Sequence, residues 1–251
     1  MKKLFLFFSL LGIIALGFTS CLDDDDKSVY HYSNKPVVVG YEDQTPVLKT
    51  GNDVLLAPGL SDTLKAGDCL WSSFTIDMND QPDSRLLQVS NLLYYKLGKS
   101  AIKEVSGTME DDYTSLIKTA VIYKVDIDSI LFFGFTQKKQ EALLGTYDAA
   151  ITDETSFGNG FDYEIMYNTD SVVTVSGREI PKLYIKSKQI LTSGSVPLNC
   201  HFAFDMREFA KKYTDSSTKK IPLYLHYKVG VTEDGEDIYK AFENYPINWE
   251  L

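Results

Sequence analysis

After residue 36 the chain is a succession of short apolar runs separated by polar turn residues, and this pattern predicts β-strands. Residues 71–77 show it well, because Phe74 and Ile76 fall on one face and polar residues fall on the other. The 16 tyrosines and 14 phenylalanines also favour strands over helices. We therefore expect an all-β protein.

The first group of predicted strands lies in residues 36–107 and is dense enough for a small β-barrel domain. Turn sequences at 45–46 and 50–53 separate the apolar runs. About five strands in about 70 residues suit a small barrel. The predicted strands contain Val37–Val39, Val47–Leu48, Val54–Leu56, Trp71–Asp77 and Leu86–Leu97.

The second group of strands occupies residues 113–251 and predicts an antiparallel β-sandwich. Its clearest strand, Tyr224–Val231, leads through the turn Glu233–Glu236 into a predicted hairpin. One segment breaks the pattern, since Asp205 and Glu208 have the spacing of a capping box and predict a short helix. The predicted strands are 116–127, 130–135, 146–151, 161–167, 172–175, 183–188, 198–204, 223–231 and 238–242.

Residues 1–20 have the pattern of a secretory signal peptide. Lys2 and Lys3 form a cationic head, and an apolar run from Leu4 to Phe18 follows. This run is shorter than the roughly 20 residues that a membrane-spanning helix needs. Its length fits the apolar region of a cleaved signal, which is about 7–15 residues long.

Cys21 stands where a lipid anchor would be attached. The preceding Phe18-Thr19-Ser20 resembles a bacterial lipobox, with small residues directly before the cysteine. That resemblance implies cleavage before Cys21, lipidation of its thiol and acylation of the new amine. Because two or more acyl chains give a stable membrane anchor, Cys21 is predicted to be an attachment point without a catalytic role.

Residues 21–35 are predicted to be a solvated acidic tether. A block of like charges repels itself and cannot fold against a core. An acidic run behind a lipidated cysteine also resembles the surface-export signal of lipoproteins from Bacteroidetes-type bacteria, which implies an outer-membrane location facing outward. The block consists of Asp23, Asp24, Asp25 and Asp26.

Three stretches together resemble the NigD-like lipoproteins of Bacteroidetes. They are the tether Cys21–Asp26, the hairpin-like Val47–Pro58, and Leu64–Cys69, which leads into a strand. The resemblance implies an N-terminal barrel of the oligonucleotide-binding (OB) type followed by a β-sandwich. It supplies no catalytic residues, and an immunity role is not assumed for this chain. The C-terminal half departs more from the family.

The charge of the chain disfavours nucleic acid as a partner. The formal net charge is −10, and the arginines are limited to Arg85, Arg178 and Arg207. Proteins that bind phosphate backbones draw their affinity from many Lys and Arg contacts. Nucleic-acid binding is therefore not expected, even from an OB-type barrel.

The common catalytic motifs are absent from the sequence, and no catalytic residue is predicted. The three histidines are widely spaced, and the adjacent Cys200 and His201 would point to opposite faces of one strand. Cys69 and Cys200 remain after lipidation of Cys21. An extracytoplasmic location would allow them to pair, but they lie far apart in sequence and free cysteines are commonly buried, so two free thiols are favoured over a disulfide.

One acidic loop is a weak candidate for Ca²⁺, which takes 6–8 oxygen ligands. Its oxygen-bearing residues stand beside Gly158 and Gly160, but their spacing matches no standard calcium loop, and such loops are commonly only solvated. No other cofactor is expected. The candidate ligands are Asp153, Glu154, Asn159 and Asp162.

A set of aromatic residues is a weak candidate for a sugar-stacking platform. Aromatic side chains on strands more commonly belong to a core, because they bury a large apolar area. The candidates are Trp71, Tyr94, Tyr95 and Trp249.

Together these observations predict a membrane-anchored surface lipoprotein that binds a protein or glycan partner without catalysis. Two alternatives stay open. The chain could be an anchor or accessory subunit of a surface structure, or it could be a glycan-active hydrolase. No arginine precedes Arg85, so removal of an N-terminal segment after an arginine is not expected.

Overall fold

The structure is a computed structural model, and it confirms that the fold is all-β. The predictions for residues 1–20, Cys21, Asp23–Asp26 and Trp249 lie outside the residues that it describes. The described residues are 28–51, 53–82, 85–106, 116–124, 130–138, 150–151, 157–158, 160–175, 177–191, 194–214 and 220–248.

The first five strands form one antiparallel sheet with the order β3-β2-β1-β4-β5. Four of its five strands have nine residues or fewer, because turn sequences interrupt the apolar runs, as the pattern predicts. They are β1 (Val29–Glu42), β2 (Thr45–Thr50), β3 (Asp53–Leu56), β4 (Cys69–Asp77) and β5 (Ser90–Lys96).

A parallel contact between the two ends of this sheet closes it into a small barrel. Leu56 at the end of β3 bridges to Gln88, just before β5. The Leu56 N–H donates to the Leu87 carbonyl at 2.8 Å, and the Val89 N–H donates to the Leu56 carbonyl at 2.9 Å. The closed sheet surrounds its own core, which consists of Val37, Val39, Leu48, Leu55, Ala57, Leu60, Leu64, Leu70, Phe74, Ile76 and Val89.

The barrel begins earlier than predicted. β1 starts at Val29 and pairs with β4 from Val29↔Asp77 onward, so the extension of the tether to Lys35 was wrong. This part of β1 is largely exposed, and exposure explains why its sequence is polar although it is a strand. The His31 ring is held there by a 3.0 Å hydrogen bond between its Nδ1 and Oγ1 of Thr75.

The remaining strands form two facing sheets. One has the order β11-β15-β9-β8, with β6 beside β15, and the other has the order β17-β16-β13-β12-β7. These sheets are called the inner sheet and the outer sheet below. A further short pair joins β10 and β14. The strands are β6 (Gly98–Ala101), β7 (Lys103–Glu104), β8 (Ile117–Lys124), β9 (Ile130–Gln137), β10 (Ala150–Ile151), β11 (Phe157–Gly158), β12 (Phe161–Val175), β13 (Arg178–Gln189), β14 (Ser195–Val196), β15 (Asn199–Asp205), β16 (Lys220–Val231) and β17 (Asp237–Asn248).

The sheets of this sandwich are mixed rather than purely antiparallel, which corrects the prediction. β13 and β16 pair in parallel, because the chain leaves the outer sheet after β13 and returns to it only after β15 and a helix. The short strands β6 and β7 also pair in parallel, with β15 and β12 respectively. They follow directly after the last barrel strand, so the chain enters both sheets from the barrel.

The predicted short helix is present as α1 (Arg207–Tyr213). Its N-cap residue is Met206, and no side chain caps it, so the predicted capping box of Asp205 and Glu208 does not form. Oδ1 of Asp205 instead accepts a 3.1 Å hydrogen bond from the Arg207 N–H. The apolar residues Phe209 and Ala210 attach the helix to the sandwich core.

The central strands β9 and β15 of the inner sheet are buried on both faces, and this arrangement gives the molecule three layers. On β9, Phe133 and Phe135 belong to the core between the two sheets, whereas Ile130 and Phe132 belong to a junction core shared with the barrel. The barrel, the inner sheet and the outer sheet therefore follow one another. The junction core consists of Val38, Cys69, Trp71, Leu97, Ile130, Phe132 and Ala203, with Tyr95 and Tyr123 at its margin.

Candidate functional site

The Cys200–His201 pair is divided between two cores, as strand geometry predicts. Cys200 lies in the sandwich core, and His201 faces the junction core. Burial raises the pKa of the Cys200 thiol to about 11, so the thiol is protonated and unreactive at neutral pH. The two residues therefore do not form a nucleophile–base pair.

Cys69 and Cys200 do not form a disulfide; both are free and buried. Cys69 belongs to the junction core and Cys200 to the sandwich core. Burial also raises the pKa of the Cys69 thiol to about 11. The sequence allowed either a disulfide or two free thiols, and the structure shows two buried free thiols.

Trp71 lies in the junction core and is only 6% exposed, so it is not part of a sugar platform. Its ring stacks on His201 with 3.8 Å between centroids and an angle of 17°. Tyr123 contacts the same indole edge-on at 5.0 Å. The tryptophan therefore joins the barrel to the inner sheet.

Of the other predicted platform residues, the two that the structure describes, Tyr94 and Tyr95, also pack against the cores. Tyr95 faces the junction, where its hydroxyl and Nδ1 of His201 form a 2.5 Å hydrogen bond. Tyr94 points to the opposite face of β5, packs against the barrel core and accepts a 3.3 Å hydrogen bond from the Ser61 N–H. Neighbouring strand residues cannot share one stacking surface, so this part of the prediction was wrong.

The predicted calcium loop is described only at its end. Asp153, Glu154 and Asn159 lie outside the described residues. Asp162 is exposed near the start of β12, where its Oδ1 accepts a 3.0 Å hydrogen bond from the Tyr163 N–H. The part of the chain that the structure describes contains no group of three His, Cys, Asp or Glu side chains placed to hold a metal. Calcium binding by this loop stays a prediction.

A different aromatic group lies on the face of the outer sheet that points away from the inner sheet. We call it the aromatic patch and define it by four residues on three neighbouring strands. Alternation on β16 places Leu225 and Tyr227 in the core and the intervening residues outside. The register Tyr184↔His226 brings β13 to the same place. The four residues are Tyr184, Tyr224, His226 and Tyr239.

His226 is the centre of the aromatic patch. Its ring lies 4.9 Å from Tyr224, 5.4 Å from Tyr184 and 6.1 Å from Tyr239, measured between centroids. Tyr184 and Tyr239 also face each other edge-on at 6.3 Å. Tyr239 is 41% exposed, and the other three rings are half-buried. The solvent-facing side of a sandwich sheet normally carries polar residues, so four adjoining rings there are unusual.

The environment of the patch disfavours the charged form of its histidine. Burial and, secondarily, the Lys182 cation lower the pKa of His226 below its ordinary value of 6.5. Its Nε2 atom is shielded from solvent and has no hydrogen-bond partner among the described residues. Such a polar atom is uncommon in folded proteins, and no described residue supplies its hydrogen-bond partner.

Sequence reasoning missed this patch although part of the signal was visible. The alternation of β16 already places His226 on the face opposite Leu225. The sequence does not show that β13 lies beside β16 in parallel, and only that register brings Tyr184 to His226.

The described residues contain no helix that is long and apolar enough to cross a membrane. No protein-family model matches the chain, and no curated protein matches it in sequence.

The fold is shared with solved structures from Bacteroides and Parabacteroides. An uncharacterised protein from Parabacteroides merdae is 13% identical with a TM-score of 0.59, covering 84% of this chain and 95% of that one. A candidate lipoprotein from Bacteroides fragilis is 12% identical with a TM-score of 0.53, covering 86% and 96%. At these identities the likeness shows a shared fold, and it agrees with the fold implied by the NigD-like resemblance.

The structure of a NigD-like immunity protein from Bacteroides caccae is also among the similar folds. It is 10% identical, with a TM-score of 0.43, and the match covers 87% of this chain and 99% of that one.

Proposed function

We propose that the chain is a lipid-anchored protein of the outer membrane that faces outward and binds a partner without catalysis, and that the aromatic patch is its binding surface. The proposed location rests on the sequence, in which a segment with the pattern of a signal peptide precedes Cys21 and the aspartates Asp23–Asp26. The shared fold with a candidate Bacteroides fragilis lipoprotein supports it.

The observation that carries the binding role is the aromatic patch on the face of the outer sheet that points away from the inner sheet. Aromatic rings that are half-buried or exposed on a strand-supported surface offer a large contact area at low conformational cost. The partly covered histidine adds a polar atom without a partner in the described protein. A rigid sheet holds all four side chains in place before a partner arrives.

The position of the patch in the layered fold supports this proposal, because the patch lies far from the point where the tether joins the barrel. The tether enters at Val29 in the barrel, and the inner sheet separates the barrel from the outer sheet. The patch therefore lies on the far side of the molecule from the barrel. A partner outside the cell could reach it while the lipid stays in the membrane.

Absence of catalysis is proposed because Cys69, Cys200 and His201, the described thiols and the histidine beside one of them, belong to the cores. Burial lowers the pKa of His201 to about 4, and its ring is held between Trp71 and Tyr95. Both buried thiols are protonated at neutral pH. None of these groups is available as a nucleophile or as a general base.

Mass spectrometry of the N-terminal peptide, from protein expressed with its membrane, tests whether the chain is cleaved before Cys21 and lipidated there. We expect Cys21 as the first residue, carrying acyl chains, and Cys21→Ser protein in the soluble fraction. An unmodified Cys21 thiol on the mature chain would refute the proposed lipid anchor. Protease treatment of intact cells then tests exposure, because only a surface-facing chain is digested without lysis.

A further inference from the structure

We propose that the junction between the barrel and the inner sheet is an acid-sensitive hinge, in which protonation of His201 releases the barrel from the inner sheet while the barrel and the sandwich stay folded. This inference goes beyond the proposed binding role and does not depend on it.

The first step concerns how the two parts are joined. Within the described residues the barrel strands pair only with one another, and no sheet contains strands from both parts. The chain passes from the last barrel strand to the first strand of the inner sheet through Leu97 alone. The junction core is also the smallest of the three cores that the described residues form. A junction of side chains can open without breaking a strand ladder, so its opening costs less than unfolding of either part.

The second step concerns the polar centre of this junction, which is His201 of β15. Its ring is almost fully buried and stacks on Trp71 of β4, with 3.8 Å between centroids. Its Nδ1 shares a 2.5 Å hydrogen bond with the hydroxyl of Tyr95 on β5. Tyr123 of β8 contacts the same imidazole from the side of the inner sheet. The imidazole therefore links two barrel strands to the inner sheet.

A proton added to this ring would disfavour the closed junction for two reasons. An imidazolium carries hydrogen on both ring nitrogens, so the Tyr95 hydroxyl has to accept from Nδ1 and its own hydrogen needs another partner. A charge in an enclosed site also lacks the hydration that it has in water. Opening of the junction gives the His201 imidazolium and the Tyr95 hydroxyl access to water.

The described side chains that face His201 supply no negative charge to offset this cost. The titratable groups among them are the phenols of Tyr95 and Tyr123, and phenols are neutral at neutral and acid pH. Trp71 of β4 and Gly134 of β9 add no charge. Burial is the cause that lowers the pKa of His201 to about 4.

The charged groups of the junction lie around Cys69 and stay ionised in the pH range that protonates His201. Partial burial disfavours the charge on Asp68 and Asp205, but hydrogen bonds from neighbouring cations and backbone N–H groups bring the pKa of each below its ordinary 3.8. Acid down to pH 4.5 therefore leaves these carboxylates charged. The groups that act on the Cys69 thiol are Lys99, Asp68, Asp205 and Lys96.

The size of the effect follows from the pKa of His201 in the two states. In the open junction the imidazole is in water and has its ordinary pKa of 6.5, whereas in the closed junction the pKa is about 4. Proton linkage then predicts that the ratio of open to closed molecules rises about fiftyfold between pH 7 and pH 4.5. Above pH 6.5 the ratio hardly changes, because the imidazole is neutral in both states.

The two buried thiols distinguish opening of the junction from unfolding. Cys69 lies in the junction core, and Cys200 lies in the sandwich core. Opening exposes Cys69 and leaves Cys200 covered, whereas unfolding of the whole chain exposes both.

The experiment labels the mature chain, purified in detergent, with 4,4′-dithiodipyridine at pH 7 and at pH 4.5. Each thiol forms a mixed disulfide, and 4-thiopyridone leaves with the thiol hydrogen. Peptide mass spectrometry gives the rate at each cysteine, which is divided by the rate of the same cysteine in the urea-unfolded chain at the same pH. On this scale we expect Cys69 to react about fiftyfold faster at pH 4.5, while Cys200 of the same molecules stays unlabelled and the circular dichroism spectrum stays native.

Variants test whether His201 is the titrating group. His201→Phe keeps a ring against Trp71 and should abolish the acid dependence of Cys69 labelling. Tyr95→Phe keeps the imidazole and removes its hydrogen-bond partner, so labelling of Cys69 at pH 7 should rise about fivefold and the acid dependence should remain. His31→Phe is the matched control, since His31 is exposed and lies outside the junction core.

Three results would overturn the inference. Equal labelling of Cys69 and Cys200 at pH 4.5 would show that acid unfolds the whole chain. A Cys69 rate that does not rise in acid would show that the face of Trp71 holds the imidazolium in the closed junction. An acid dependence that persists in folded His201→Phe protein would assign the effect to other groups. Each cysteine is read from its own peptide, so these results do not depend on the lipid anchor or on a bound partner.

Discussion

His201 should make the protein lose stability as the pH falls from about 6.5 to about 4. The side chain is 3% exposed, and it is enclosed by Trp71 of β4, Tyr95 of β5, Tyr123 of β8 and Gly134 of β9. None of these four neighbours carries a negative charge that would stabilise an imidazolium. Burial therefore lowers the folded-state pKa of His201 from 6.5 to about 4.

The magnitude follows from proton linkage. Between these two pKa values the unfolded chain binds a proton at His201 and the folded chain does not, so acid favours unfolding. At about 1.4 kcal/mol per pKa unit, the loss approaches ~3 kcal/mol once the pH has fallen to about 4. Above pH 6.5 this residue contributes no pH dependence, because its imidazole is then neutral in both states.

Urea unfolding of the mature chain, measured at several pH values between 7 and 4, tests this reasoning. His201→Phe keeps a ring against Trp71 and removes the titrating group. It should cost about 1–3 kcal/mol at neutral pH, because the buried Tyr95 hydroxyl loses its partner. Between pH 7 and pH 4, the His201→Phe protein should lose less unfolding free energy than the wild type, by most of ~3 kcal/mol.

His31→Phe is the matched control, since His31 is exposed on β1 and lies outside the junction core. Carboxylates such as Asp68 and Asp205, whose pKa values are lowered, also destabilise the fold in acid, mainly at lower pH. The comparison between variants removes their contribution. If wild-type and His201→Phe proteins lose the same free energy between pH 7 and pH 4, the account of His201 is wrong.

Two further predictions concern packing and thiol burial. Gly98→Ala should destabilise the chain by about 1–3 kcal/mol in urea unfolding, because the added methyl group would overlap the Phe202 ring. Gly59→Ala is the control and should change the stability far less, because a methyl group there meets nothing within 4 Å. Cys69 and Cys200 should resist a thiol reagent at pH 8 and react fully in denaturant, because burial raises both pKa values to about 11; rapid labelling of the native chain would contradict their placement.

The barrel was predictable because its signals are local. Turn residues such as Gly51, which has φ = +56°, mark the ends of strands, and apolar residues between them alternate with the pleat. β1 was recognised only from Val37 onward. Its earlier part has a polar sequence because both of its faces are largely open to solvent, and there the hydrophobic pattern carries no information.

The layering of the sandwich could not be predicted from local signals. β9 is a continuous apolar run, and such a run fits a buried strand without showing what covers each face. In the structure Phe132 contacts the barrel side and Phe133 the sandwich side. The residues of β6 and β7 are mostly polar, and their pairing with β15 and β12 depends on contacts that are distant in sequence.

The candidate site was also missed because local sequence signals do not show contacts between residues that are distant in sequence. Trp71 was the most conspicuous aromatic residue, and a large aromatic ring in a strand is commonly recruited to a core. The patch around His226 instead combines residues that are ordinary in isolation. Their significance depends on a parallel pairing between strands separated by β14, β15 and α1.

The junction core and the aromatic patch are therefore separable parts of one molecule. Burial lowers the pKa of both His201 and His226, but His201 lies between the barrel and the inner sheet, whereas His226 lies on the face of the outer sheet that points away from the inner sheet. The core of the sandwich stands between them. A change at His201 should alter the stability of the fold and leave the aromatic patch intact, whereas Tyr239→Ala should remove an exposed ring of the patch and change the stability far less. The two variants together distinguish the residues that hold the layers together from those that meet the partner.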